Sequence, residues 1–237
     1  MNHPKLPTSK LFYGKWPYKI LCTVQESWKV KRIGVEKTIE YCYNPKNSFY
    51  TNKWRGSPEV ISQLLNFTHA VEPFLSKEIQ IRAENSLFNI YCKDQTLYND
   101  MVTQLAEFIT EVHEPVNSEE LDYIVDNGSK KVLCNQLPHK KYQYRIWIKS
   151  SFKQDARLNF SNWIANYGDR ILPTKSTNKW LLNNSRYWGD QPNMYIKDSA
   201  TLSMVGLYLG NNLQKVEEFI PRSNINISLH RENTCQL

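Results

Sequence analysis

Asn89-Ile90-Tyr91-Cys92-Lys93-Asp94 recurs 104 residues downstream as Asn193-Met194-Tyr195-Ile196-Lys197-Asp198, identical at four of six positions. At the same offset Leu105 matches Leu209, Val112 matches Val216 and Glu114 matches Glu218, so the similarity outlasts the hexamer. A second pair lies upstream of each copy. Trp16-Pro17-Tyr18-Lys19-Ile20 matches Tyr142-Gln143-Tyr144-Arg145-Ile146 as aromatic-x-Tyr-basic-Ile. Two stretches repeated in the same order read as a diverged internal duplication of one folding unit.

Working outward from the first copy, Lys10 to Val24 reads as extended, with Trp16, Tyr18 and Ile20 on one face and Lys15 and Lys19 on the other. Residues 1 to 9 read as a loose arm. Trp28 to Arg32 and Thr38 to Tyr43 read as a hairpin, and Asn44-Pro45-Lys46-Asn47 has turn chemistry. Ser57-Pro58-Glu59 supplies a helix start, followed by Val60, Leu64, Leu65, Phe67 and Val71 at helical spacing. Glu78 to Tyr91 returns to strands with a turn at Glu84-Asn85-Ser86. Leu97, Met101, Leu105 and Phe108 then form a helical stripe, and Ile109 to Val116 closes the unit as a strand.

The second half repeats that order. Tyr142 to Lys149 alternates, with Tyr142, Tyr144, Ile146 and Ile148 inward and Gln143, Arg145, Trp147 and Lys149 outward. A helix follows over 154 to 167, then strands at Ile171-Leu172, Trp180 to Leu182 and Met194 to Ile196. A further helix stops at Gly210-Asn211, and the last strand is Leu213 to Ile220. The order strand, helix, hairpin, helix, strand resembles that of ferredoxin-like and RNA-recognition modules. The fold class it implies is α+β, with two tandem ferredoxin-like (βαββαβ) units and antiparallel sheets carrying helices on one face. The units are expected over 10–116 and 129–222, joined by an acidic linker over 117–128 and followed by a polar tail over 223–237.

Composition sets the class of partner. The formal net charge of +7 is segregated: residues 1–60 hold 11 Lys/Arg against 4 Asp/Glu, residues 61–128 hold 3 against 12, and residues 129–237 hold 16 against 7. A fold built this way has basic regions that attract a polyanion by long-range steering. The acidic middle either docks on the basic flanks or faces a partner. No apolar run approaches the roughly 20 residues that cross a bilayer, and Met1-Asn2-His3-Pro4-Lys5 has no apolar signal core, which leads us to expect an intracellular, cytoplasmic protein. The richness in Asn, Lys, Ile and Tyr fits an A/T-rich gene, as many phage and viral genes are.

The five cysteines are scattered and form no Cys-x-x-Cys, the five histidines are isolated, and no phosphate-cradling glycine loop occurs, so no cofactor is expected. Asp94 and Asp198 stand where an Asp caps the following helix. With Glu84 they are also the only candidates singled out for a Mg²⁺-dependent nuclease or nucleotidyl transferase, although no Asp-x-Asp accompanies either. The chemistry that stands out is basic and aromatic. Lys15, Trp16 and Lys19, then Lys29, Lys31 and Arg32, then Lys140, Lys141, Arg145, Trp147 and Lys149 interleave cations with rings that can stack on bases. The reading is a non-enzymatic protein binding single-stranded DNA or RNA in a salt-dependent way. The alternatives are an interaction or inhibitor protein using its acidic face or an edge strand, and the Mg²⁺ enzyme.

Overall fold

The computed structural model describes residues 3–43, 58–128, 130–182 and 191–225. The helix cap at Ser57, the turn at 44–47 and the tail beyond 225 lie outside these residues. The chain divides into two compact units, Met1–Asp126 and Asn127–Leu237.

The first unit runs β1 (Lys5–Pro7), β2 (Tyr18–Thr23), α1 (Trp28–Ile33), α2 (Val35–Tyr43), α3 (Pro58–Val71), β3 (Ile79–Glu84), β4 (Leu87–Cys92), α4 (Gln95–Gln104) and β5 (Ile109–Glu114). Helix α5 (Ser118–Asn127) occupies the acidic stretch expected as a linker. The second unit runs β6 (Lys131–Cys134), β7 (Tyr144–Ile148), α6 (Gln154–Ala165), β8 (Ile171–Pro173), α7 (Lys175–Leu182), β9 (Asn193–Ile196), α8 (Ser199–Leu209) and β10 (Leu213–Pro221).

The fold is α+β with two five-stranded mixed sheets, ordered β1-β5-β2-β4-β3 and β6-β10-β7-β9-β8. Only the edge strands depart from the antiparallel sheets expected: β1 runs parallel to β5 and β6 parallel to β10. The arm expected over residues 1–9 therefore contains a strand. Its exposed, proline-ended sequence carries no alternation, so the pairing is set by the neighbouring strand and not by local pattern.

The two sheets fit a duplication residue by residue. Lys19 pairs with Tyr91, Ile20 with Ile90 and Leu21 with Asn89; Arg145 pairs with Tyr195, Ile146 with Met194 and Trp147 with Asn193. The repeated acids do the same work in each copy. Asp94 Oδ1 accepts the Leu97 N–H at 2.6 Å and Asp198 Oδ1 accepts the Thr201 N–H at 2.8 Å, each capping the next helix. That N–H holds the Asp198 carboxyl below its usual range.

Alternation decides the faces. Tyr18, Ile20, Cys22, Phe88, Ile90 and Cys92 bury against α3 and α4, with Phe67 edge-on to Phe88 and Phe108 at 5.1 and 5.3 Å. Burial pushes the Cys22 and Cys92 thiols up to about 12, which fits inert thiols. In the second unit Ile146, Ile148, Met194 and Ile196 bury against Phe160, Trp180, Leu181, Val205 and Leu209.

Two stretches read as strands are helices. In α2 the buried Thr38, Tyr41 and Cys42 recur at helical spacing, and Gly34 at φ 88° separates α1 from α2. The apolar run Trp180 to Leu182 ends α7, where Thr177, Trp180 and Leu181 share the buried side. Arg157 fixes that helix, donating from Nη1 to the Trp180 carbonyl at 2.8 Å and lying 4.8 Å over its ring. A three-residue apolar run has no period of its own, so its neighbours decide.

Candidate nucleic-acid interface

The repeat extends into the turn before each central strand. Leu11-Phe12-Tyr13-Gly14-Lys15-Trp16 corresponds to Leu137-Pro138-His139-Lys140-Lys141-Tyr142, and three backbone hydrogen bonds recur, while the Phe12 N–H to Trp16 carbonyl bond of the first turn has no counterpart at Pro138. Gly14, Lys15 and Trp16 N–H donate to Leu11, Phe12 and Phe12 carbonyls; Lys140, Lys141 and Tyr142 N–H donate to Leu137, Pro138 and Pro138. Tyr13 and Gly14 lie at φ 52° and 68°, His139 and Lys140 at 50° and 65°. The ring at the first of these positions packs on the repeated tyrosine, Tyr13 on Tyr91 at 5.1 Å and His139 on Tyr195 at 5.6 Å.

The following lysine is clamped in both copies. Glu78 receives Lys15 at 3.8 Å and Lys93 at 3.1 Å; Asp169 receives Lys141 at 3.0 Å and Lys197 at 3.6 Å. Lys93 holds the Glu78 carboxyl below its usual range, as Lys141 does for Asp169. Lys15 and Lys141 therefore serve the turn as well as any ligand.

The copies diverge on the sheet face turned away from the helices. In the first, Lys19, Leu21 and Thr23 of β2 face Glu111 and His113 of β5. Lys19 Nζ lies 3.3 Å from Glu111 and His113 Nε2 3.0 Å from the same carboxylate. The His113 ring and the Lys19 ammonium hold Glu111 below its usual range. Phe12 lies against both Tyr91 and His113, at 5.5 and 5.4 Å.

The matching positions of the second copy are Arg145, Trp147, Lys149, Lys215 and Glu217. Three cations stand there against one carboxylate, and a tryptophan replaces leucine. Glu217 is fully buried, receiving Arg145 Nη2 and Lys215 Nζ, each at 2.8 Å. Arg145 also lies 4.6 Å over the Trp147 ring and 5.6 Å over Phe219, and Lys215 lies 5.0 Å over Trp147. Tyr195 stacks obliquely on Tyr142 and Phe219. The result is a cationic aromatic surface whose arginine is oriented by a buried acid.

The structure sorts the residues singled out by sequence. Arg145, Trp147, Lys149, Lys140 and Lys141 gather around this face and the turn beside it. Lys19 occupies the matching place in the first unit, half-buried on Glu111. Trp16 is 5% exposed, so it has no ring face to offer a base, and Lys15 and Lys93 lie against it. Lys29 is buried too, 3.1 Å from Glu26 and 4.4 Å over each of Trp28 and Tyr41. Both are structural. Lys31 and Arg32 are exposed on α1. Of the acids considered for Mg²⁺ chemistry, Asp94 and Asp198 cap helices and Glu84 pairs with Arg82 at 2.7 Å. Among the described residues no three His, Cys, Asp or Glu side chains converge as a metal site, and no helix is long and apolar enough to cross a membrane.

Sequence reasoning missed Lys215, Glu217 and Phe219. The signal was available in the repeat, since the 104-residue offset puts Lys215 and Glu217 at the places of Glu111 and His113, directly beside Lys19.

Lys140 carries a cost that the first copy avoids. A side chain in the left-handed region is unfavourable by about 1–2 kcal/mol, and glycine, as at position 14, is not penalised there. Lys140→Gly is expected to raise stability in urea by about 1 kcal/mol after glycine's larger unfolded-state entropy is counted. Comparison with family models, with characterised proteins and with solved structures finds no match for this chain.

Proposed function

We propose that the chain binds single-stranded nucleic acid, with the helix-free sheet face of the second unit as its platform. Each unit is then a ferredoxin-like βαββαβ core with one added parallel edge strand, a reading supported by the order fourth, first, third, second among the remaining four strands. The observation that carries the function is Trp147, with the Arg145 guanidinium 4.6 Å and the Lys215 ammonium 5.0 Å from its ring centre, on a surface where cations outnumber acids. A base stacks on an aromatic ring for about 1–3 kcal/mol, and cations beside it neutralise the flanking phosphates. Lys215, 41% exposed at its side chain, has the reach to swing from ring to phosphate, whereas Arg145 stays pinned by Glu217. Lys140 fits the same role, because a lysine kept in a strained conformation has a reason other than the turn.

The test is a titration of labelled single-stranded and duplex oligonucleotides by anisotropy over a range of salt. The logarithm of affinity is expected to fall linearly with that of salt, by about 0.7 per neutralised phosphate for a single strand. Lys140→Ala with Lys149→Ala should flatten the slope by about 1.4, with single strands preferred over duplex throughout. Absence of binding at low salt, or a slope unmoved by the double substitution, refutes the proposal.

A further inference from the structure

Between its first central strand and its long helix the second unit passes directly from Ile148 to Gln154, whereas the first runs from Thr23 to Pro58 and places α1 and α2 there. The fold closes without this insertion, so the insertion answers some other need. Its helix α1 and the β3–β4 hairpin form a cleft of about 500 Å³, lined among the described residues by Trp28, Lys31, Arg32, Ala83 and Asn85. That volume suits a ligand of nucleotide size.

The aromatic wall of the cleft is pre-set. Lys29, buried and paired to Glu26, lies 4.4 Å over the Trp28 ring and equally over Tyr41, which fixes the tryptophan on its helix. Arg32 lies 5.5 Å over the same ring, Lys31 is exposed on the same helix, and Asn85, at φ 53° in the β3–β4 turn, also lines the cleft. A held indole, two cations and an amide are what a purine or pyrimidine bearing a phosphate requires: a stacking plane, charge for the phosphate, and a donor–acceptor pair for a base edge.

We infer that this cleft is a nucleotide-binding site in the first unit, separate from the sheet face of the second and independent of that reading. Its ligand is a nucleoside monophosphate unit, either free or as the 5′-phosphorylated end of a strand.

Calorimetric titration of the full chain with AMP at low salt tests it. One saturable site is expected, weakened tenfold or more by Lys31→Ala/Arg32→Ala, whose exposed positions leave folding intact. Inorganic phosphate should bind at least tenfold more weakly than AMP. No saturable binding of AMP, an unchanged affinity in the double variant, or equal binding of phosphate alone overturns the inference. So does loss of AMP binding in Trp147→Leu, because it would move the ligand to the sheet face. Competition identifies the source: a 5′-phosphorylated dinucleotide outcompeting its 5′-hydroxyl form assigns a strand end, and equally weak competition by both assigns a free nucleotide.

Discussion

Replacing Arg145 and Lys215 together by methionine is expected to destabilise the protein by about 3–5 kcal/mol, the range seen when a buried ion pair loses one sign of charge. The reason lies in Glu217. Its side chain is fully buried, and both cations reach it at 2.8 Å. Methionine keeps much of the stem packing on Trp147 but leaves the carboxylate in a poorly solvated place without those charges. Lys215→Met alone should lose less, since that ammonium is already 41% exposed.

The pH dependence gives a second readout. Without its cations the buried carboxyl has a raised pKa in the folded state, so the folded protein takes up a proton more readily than the unfolded chain. Stability of the double variant therefore recovers as pH falls through the carboxylate range and is lost again as pH rises. Adding Glu217→Gln should restore most of the loss at neutral pH. Urea unfolding of the three variants at two pH values decides the matter; an unchanged midpoint in the double variant would show that these two cations are not what stabilises the buried Glu217. A practical consequence follows for binding studies. The contribution of Arg145 to affinity is read most cleanly in a Glu217→Gln background, where its removal does not take a cation from a buried acid.

The sheets were legible because they announce themselves twice. Tyr91 and Tyr195 occupy corresponding registers opposite Lys19 and Arg145, and the alternation Tyr144, Ile146, Ile148 against Arg145, Trp147, Lys149 assigns the two faces of β7 correctly. The Asp94 and Asp198 caps were legible for the same reason. What escaped has no period. Lys5–Pro7 gains its strand from β5, and Trp180 to Leu182 gains its helix from Arg157 and the second core. Trp28 to Tyr43 has basic residues at alternate places that imitate a strand, while its buried residues follow a helical spacing. The candidate face was legible only in part. Composition identified the basic aromatic strand but not which rings are covered, and burial removes Trp16 and Lys29, which only tertiary packing could show.

Trp147→Leu should weaken binding of single-stranded oligonucleotides about 10- to 100-fold, the equivalent of losing one base stack, with stability changed by less than about 1 kcal/mol. Leucine is the informative choice because the first unit already carries it. Leu21 sits at the matching position, pairing with Asn89 and Glu111 as Trp147 pairs with Asn193 and Lys215. A fold that accepts leucine there in one copy does not need tryptophan in the other for its packing, so a loss confined to affinity is the signature of a ligand contact. The charges make the same point. Where the second unit places Lys149 and Lys215, the first has Thr23 and Glu111, so both of these cations, like the indole, are carried at these places by the second unit alone. Trp147→Phe, which keeps a stacking plane, should retain most of the affinity. If the leucine variant binds as tightly as the parent while its stability falls by 2 kcal/mol or more, well beyond that limit, the indole belongs to the architecture and the platform lies elsewhere on the chain.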